Sequence, residues 1–389
     1  MSEKHPLRYF LQVGDAVAPV REIEGREAMS APFRFELRFT LDDGLWAEPE
    51  DLLKRAALIR MERDGEHVRS IAGIVTEIAA EATTRGVTEV LAVIEPHLAL
   101  LRHRTDHRVF RNKTVPQIVE EVLGVVGIAK SATEGASKLT LRLSESYATR
   151  AYTVQSSEAD LDFIHRLLED EGIHYFFLEH DGLVLGDSTA AYEPISGSRV
   201  VPFRAGHGID MSQDAINAVG RRAAASIGKV SLRDLNLDKP SLDLSVSAEG
   251  PTPGGPELYD YPGEYAEPAE GARKARIFAQ AYACEAATFT GKSLSGRLVP
   301  GHVFELEDTP DAVADGQHLV TVVRHAWKRD VTGFSCGFDS LPAEMTHRPP
   351  VVTPEPRLLN PMSGVVTGPS GEDIHTDSAG RVKVHFHWN

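Results

Sequence analysis

Cysteine is scarce: Cys284 and Cys336 are the whole complement of a 389-residue chain. Neither sits in a C-x-x-C pair, so no disulfide framework is implied. Both read as buried apolar thiols in a chain suited to a reducing compartment. Long apolar runs are lacking as well, which excludes a membrane-spanning helix of the usual ~20 residues. The opening residues Met1–Asp15 hold no apolar leader core, so a cleaved secretory signal is not expected. Cations are outnumbered: Lys+Arg is 41 against 57 Asp+Glu, a net charge of −16. An acidic surface repels phosphate backbones. The longest basic stretch, Arg102-His103-Arg104, reads as a solvated loop, so no nucleic-acid partner is expected. Hydrophobic content of 42% and charged content of 25% describe a globular chain. A chain of this length spans roughly two to three domains and needs no metal staple.

Catalytic signatures fail one by one. Gly291-Lys292-Ser293 ends like a phosphate-binding loop, but the required first glycine is Ala286. Gly206-His207-Gly208 begins a dinucleotide pattern, but Met211 stands where the third glycine belongs. Neither G-x-S-x-G nor H-E-x-x-H occurs. His103 and His107 would share a helix face, yet their charged neighbours point to a solvated segment. His385 and His387 share a strand face, where a metal would need a third group or a symmetric partner, and they read as polar residues on the outer face of a barrel strand. Asp160, His165 and Glu169 fall on a helix whose charged face is expected to meet water. No catalytic, cofactor-binding or metal-binding residue is assigned, no cofactor is expected, and the chain reads as no enzyme.

What is present is mostly β. Phe33, Phe35, Leu37 and Phe39 alternate with Arg34, Glu36, Arg38 and Thr40, the period of a half-buried strand. Residues 7–13, 57–63, 68–79 and 87–95 are further strands, with turns at Asp42-Asp43-Gly44, Asp64-Gly65 and Gly86. Many short strands suggest a barrel or sandwich. The middle is mixed. Thr114 to Gln117 has the form of a capping box, and Ile118, Val119, Val122, Leu123 and Val126 follow at helical spacing. A second helix is expected from Ser156–Ser157, with Leu161, Ile164, Leu167 and Leu168 inward and Gly172 as its stop. Strand 173–179, an Asp181-Gly182 turn and strand 183–186 make a hairpin. Short β runs are expected at 229–233 and 242–246, with a Pro/Gly loop over 251–256. An Ala-rich helix over 268–289 is expected to be buried at an interface. Strands return at 298–306, 318–328 and 333–339. Six prolines between Pro342 and Pro361 then favour a stiff extended linker. In the last strand Val382, Val384, Phe386 and Trp388 face one way and Arg381, Lys383, His385 and His387 the other. One or two strands cannot bury such a face, so the chain is expected to continue into a closed barrel. No internal repeat of 20–50 residues is visible.

Three ordered motifs carry a resemblance. The first is Tyr152-Thr-Val-Gln155, Glu158 through Ile164, and Arg166-Leu-Leu-Glu-Asp-Glu-Gly172 through Phe176. The second is Pro300 through Leu306 with His318 through His325. The third is Gly364 through Asp377 with Gly380 through Trp388. Together they resemble VgrG, the valine-glycine repeat spike family of the type VI secretion system, which looks like a phage tail hub fused to a spike. Where the family pattern has glutamine and aspartate, His385 and Asn389 stand here, read as surface variation.

The resemblance implies a mainly β fold with α+β insertions: phage-hub-like β-barrel domains, then the start of an OB-fold barrel. The expected divisions are a hub barrel over 1–105, mixed insertions over 106–290, second-barrel strands over 291–341, a linker over 342–361 and the beginning of the OB-fold spike unit over 362–389. It implies a homotrimer with two barrels per chain, capping the hexameric Hcp tube, tipped by a PAAR-repeat protein, touching baseplate proteins, carrying effectors or adaptors, and meeting a target membrane transiently. It also implies a cytoplasmic protein that leaves by injection. Two alternatives stand beside it: the hub of a phage or phage-derived contractile particle, and an envelope-polymer hydrolase acting through a domain beyond residue 389.

Overall fold

The computed structural model describes residues 7–42, 49–82, 87–130, 137–179, 182–204, 214–329, 335–356, 361–372, 374–378 and 380–388. The chain opens with β1 (Arg8–Val13), β2 (Ala16–Ala28) and β3 (Ala31–Asp42), then a short helix α1 (Pro49–Leu52), β4 (Ala56–Arg63), β5 (Glu66–Ala82) and β6 (Val87–Glu95). Their pairing order is β1-β4-β5-β6-β3-β2, and β1 also pairs β2, so the sheet closes into a six-stranded antiparallel barrel. Closure removes free edges. Phe33, Phe35, Leu37 and Phe39 all point inward and are buried, as their alternation demands. Burial of each such side chain contributes about 1.5–3 kcal/mol.

A mixed layer follows: β7 (Thr105–Lys113), α2 (Val115–Gly124), β8 (Ile128–Ala129), β9 (Ser137–Arg142), β10 (Arg150–Ala159), α3 (Asp160–Glu171), β11 (His174–Leu178) and β12 (Gly182–Gly186). The capping box closes in part through Thr114 N–H, which donates to Gln117 Oε1 at 2.9 Å. The apolar stripes of α2 and α3 share one core with Tyr175, Leu183 and Leu185 of the sheet β11-β12-β9-β8. Helix α3 starts at Asp160, later than expected. Ser156 and Ser157 belong to β10, where the register against β7 slips between Ser156 and Glu158. Gly172 ends α3 in the left-handed conformation at φ 67°. His103 and His107 share no helix: His107 lies in β7, paired with Ser156. The hairpin β11–β12 forms, with Asp181 outside the described residues.

The chain then returns through β13 (Glu193–Pro194), β14 (Val200–Pro202) and β15 (Ile216–Ala223). Next come β16 (Lys229–Leu232), β17 (Val246–Glu249), β18 (Glu257–Asp260) and α4 (Pro268–Ala286). Four long strands follow: β19 (Ala287–Ser293), β20 (His302–Glu307), β21 (Gly316–Lys328) and β22 (Ser335–Pro342). Strands β21, β22, β19 and β15 pair in order, β20 pairs β21 and β14, and a Phe203–Ile216 bridge joins the β14 end to β15. These six form a second ring. Of these, β14 and β15 lie before residue 291, where the second-barrel strands were expected to begin, and β19 runs across it. Those strands are short or weakly apolar, and pairing from a distance recruits them. Gly291 sits in β19, where an added Cβ would lie 2.4 Å from the Phe338 ring, so it serves close packing and no phosphate loop.

The rings join through antiparallel β2–β21, and one hydrophobic cluster runs through both. Helix α4 packs Ala275, Ile277, Phe278 and Ala279 on the three-stranded sheet β17-β16-β18, so much of its small-residue face is covered within the chain. Last come β23 (Gly364–Thr367) and β24 (Lys383–Phe386), an antiparallel pair of their own. Strand β24 keeps the expected alternation, with Val384 and Phe386 partly covered and Lys383, His385 and His387 exposed. Gly206, Gly208, Met211 and Asn389 lie outside the described residues.

Candidate assembly site

The seam between the rings carries a buried charge cluster. Phe35 of β3 packs against Gly25 of β2, where a Cβ would come within 2.1 Å of the ring. That approach seats β2 against β21, with Gly25 opposite His325. Two residues on, the Glu27 carboxylate accepts from Arg69 Nη1 at 2.9 Å, Arg69 Nη2 at 2.5 Å and His325 Nε2 at 2.8 Å. Burial alone would raise the Glu27 pKa. The Arg69 charge and the hydrogen bonds from His325 and Arg69 outweigh it and hold the group at about 2.

A second cluster orders the start of α3. Asp160 is completely buried and accepts from Arg104 Nη1 at 2.8 Å, Arg108 Nη2 at 3.0 Å and Gln155 Nε2 at 2.7 Å. Its place in the first helical turn adds a favourable dipole. The expectation that Asp160, His165 and Glu169 form a solvated face is therefore corrected. His165 Nε2 meets Tyr175 Oη at 2.8 Å, and burial lowers its pKa to about 4. Glu169 accepts from the backbone N–H groups of Val352 and Thr353 at 3.1 and 3.0 Å and from Thr353 Oγ1 at 2.6 Å. Helical periodicity could not show this, because each partner arrives from elsewhere in the chain.

Residues 343–353, part of the stretch 342–361 expected as a stiff extended linker, form a strap over the body. Arg348 Nη1 donates to Gly172 O at 2.7 Å and Asp187 O at 2.9 Å, and its Nε donates to Gln280 Oε1 at 2.9 Å. Tyr192 Oη donates to Met345 O at 3.1 Å and accepts from His347 N–H at 2.7 Å. Asp187 itself accepts from Ser144 and Glu145 N–H and from Tyr147 Oη, all within 2.9 Å. Sequence reading missed Arg69, Arg108, Asp187 and Arg348. The one signal available was an Arg or Asp inside an otherwise apolar or proline-rich stretch. On the strap the Val352 side chain lies open to solvent, and beyond it so do Val365, Val366, Ile374 and Val382.

Cys284 and Cys336 are free and buried, and burial pushes the Cys336 thiol up to about 12. His385 and His387 are exposed, and no group of three or more metal-competent side chains occurs among the described residues. No described helix is long and apolar enough to cross a membrane.

Two joined barrels with a helical insertion and a strapped exit call for comparison with known tail proteins. Residues 26–331 match the phage tail baseplate hub (GPD) family. The chain belongs to that family. This hub chain is 31% identical, over 98% of its length, to the type VI secretion system spike protein VgrG4b of Pseudomonas aeruginosa, and covers 48% of it. It is 27% identical, over 98% of its length, to the actin cross-linking toxin VgrG1 of Vibrio cholerae, and covers 36% of it. The chain thus spans about half or less of these curated relatives. A solved Escherichia coli component of the type VI secretion system, described as structurally similar to T4 phage tail proteins gp27 and gp5, superposes with a TM-score of 0.73. The identity there is 22%, over 97% of this chain and 88% of that one. The VgrG resemblance read from the three motifs is met by these matches, and the mainly β hub fold by the superposition.

Proposed function

We propose that the hub chain is a structural part of a type VI secretion spike. Three copies surround one axis, and their barrels, two per chain, give a six-barrel ring that caps the hexameric Hcp tube. The observation that carries this reading is the pair of closed rings joined by β2–β21. Two like rings per chain convert threefold symmetry into a near-sixfold face. The C-terminal unit continues toward a spike and a PAAR-repeat tip, with baseplate proteins around it and effectors or adaptors as cargo. Exposed Val365, Val366 and Val382 support a multi-chain arrangement, since a two-stranded unit leaves its apolar face wet. The protein waits in the cytoplasm, leaves by injection, and touches a target membrane in passing. Its own chemistry is mechanical; the toxin relative extends far beyond the part matched here. The proposed divisions are the two rings, the insertions at 105–186 and 229–286, the strap, and an OB-fold unit beginning near residue 362.

The test is the mass of the full-length protein by light scattering, with particle symmetry by electron microscopy. Three chains with threefold symmetry support the reading, and a stable monomer overturns it. Co-sedimentation with Hcp tubes separates this reading from the hub of a phage-derived particle, which the family match also favours.

A further inference from the structure

The strap holds two histidines that the assembly reading does not use. His174 on β11 is fully buried, and its Nδ1 lies 3.0 Å from His347 O. A carbonyl oxygen only accepts, so Nδ1 carries the proton and Nε2 is bare. That Nε2 bonds no protein group, and it lies so close to the Gly186 backbone that a Cβ there would sit 2.7 Å away. His347 is buried too, and neither of its ring nitrogens bonds a protein group. The two ring centroids are 6.1 Å apart.

The surroundings disfavour added positive charge. Arg348 is already charged and adjacent on the strap. Tyr192 packs its ring on His174 at 5.4 Å and uses its hydroxyl on the strap backbone. Cys284 comes from α4, its Sγ 3.6 Å from Thr346 O and its thiol pKa raised, first by burial. Asp187 is the nearby carboxylate, but Ser144, Glu145 and Tyr147 occupy it. Behind it Arg273 adds a further cation, paired with Glu171. The ring seam has the opposite arrangement, for His325 faces the carboxylate of Glu27.

We propose that His174 and His347 form an acid-operated latch on strap residues 343–353. With both rings neutral the latch is closed, and the strap ties the chain leading to β23–β24 onto α3, β11 and α4. Two protons would place two cations about 6 Å apart beside Arg348, with no acceptor for the new N–H groups. Moving His347 into water relieves this, and His347 lies on the strap. The latch then opens while both rings stay folded. Burial holds His174 at about 3 and His347 at about 4 in the closed state, so both resist protonation until the strap lifts. Each proton taken up on opening shifts the open population up to about tenfold per pH unit, so two give up to about 100-fold.

The experiment is hydrogen–deuterium exchange on the whole chain from pH 7 to 4, corrected for intrinsic rates, with proteolysis of the strap as a second readout. The expected result is that 345–353 loses protection steeply below pH 6 while β3, β5 and β21 keep theirs. In the His174→Gln, His347→Gln double variant the strap's protection becomes nearly flat with pH. The Glu169→Gln variant removes the carboxylate on Val352 and Thr353 and keeps the steep histidine-driven loss, starting at higher pH. Flat strap protection in the wild type overturns the proposal, as does loss of strap and rings together. So does a pH response that survives in the double variant or vanishes in Glu169→Gln. Should the double variant fail to fold, histidine titration by NMR in the wild type decides: His174 and His347 must stay neutral until the strap amides exchange.

Discussion

Glu27 shows how much one residue can carry at the ring seam. Its carboxylate joins β2 to Arg69 on β5 and His325 on β21, with all three side chains buried. Removing its charge leaves Arg69 in the interior without the carboxylate it is hydrogen-bonded to. Glu27→Gln should cost about 3–5 kcal/mol in denaturant unfolding, far more than loss of the exposed pair Lys239–Glu267. The pH dependence has a definite sign. Glu27 is held at about 2 when folded, so its contribution is full above its unfolded value of 4.5 and fades as pH falls toward 2. His165, His174 and His347 are held near 4, 3 and 4, below the unfolded value of 6.5. The unfolded chain then binds more protons, so stability is full above pH 6.5 and falls as pH drops toward the folded values. The loss is up to about 1.4 kcal/mol per pH unit for each histidine, measurable as a falling midpoint in urea.

Helix α3 gathers partners from several distant parts of the chain. Its inner face was legible, because Leu161, Ile164, Leu167 and Leu168 recur at helical spacing and are all buried. Its stop was legible as well. Gly172 is left-handed, and an added Cβ would lie 2.6 Å from Ile277 Cγ2 and 3.2 Å from Arg348 Cδ. Gly172→Ala should therefore cost about 1–3 kcal/mol and loosen the strap, read by chemical unfolding and strap proteolysis together. The outer face was not legible. Asp160 and Glu169 look like solvent-facing acids until Arg104, Arg108 and Thr353 are brought to them. Strand β2 hid for a different reason. Ala18 and Val20 alternate inward, then the register slips between Val20 and Glu22, and Ile23 resumes out of phase. A period-two search loses the strand at that point.

At the scale of the molecule, the two rings share one core and one long seam, so they should unfold as a unit. Calorimetry of the chain should show one main transition for the rings, even though the residues of the second ring are scattered from 200 to 342. Removing residues 357–389 should leave that transition within about 2 °C. The pair β23–β24 is small, and its apolar side chains lie largely open, so it contributes little to the ring core. A drop well beyond that would mean the last strands brace the rings.

Local pattern determined a good deal of this protein. Local β patterning marked the strands of the first ring other than β2, the Thr114–Gln117 box and Gly172 bounded two helices, and three ordered motifs pointed to the spike family. These signals survive in a bare sequence because they depend on neighbours within a few residues. Tertiary structure alone decided which ring β14, β15 and β19 join, that Glu27 meets a histidine 298 positions away, and that a proline-rich stretch is strapped down. Charge burial and ring closure depend on groups that arrive from far along the chain, and no spacing rule within a segment encodes who arrives.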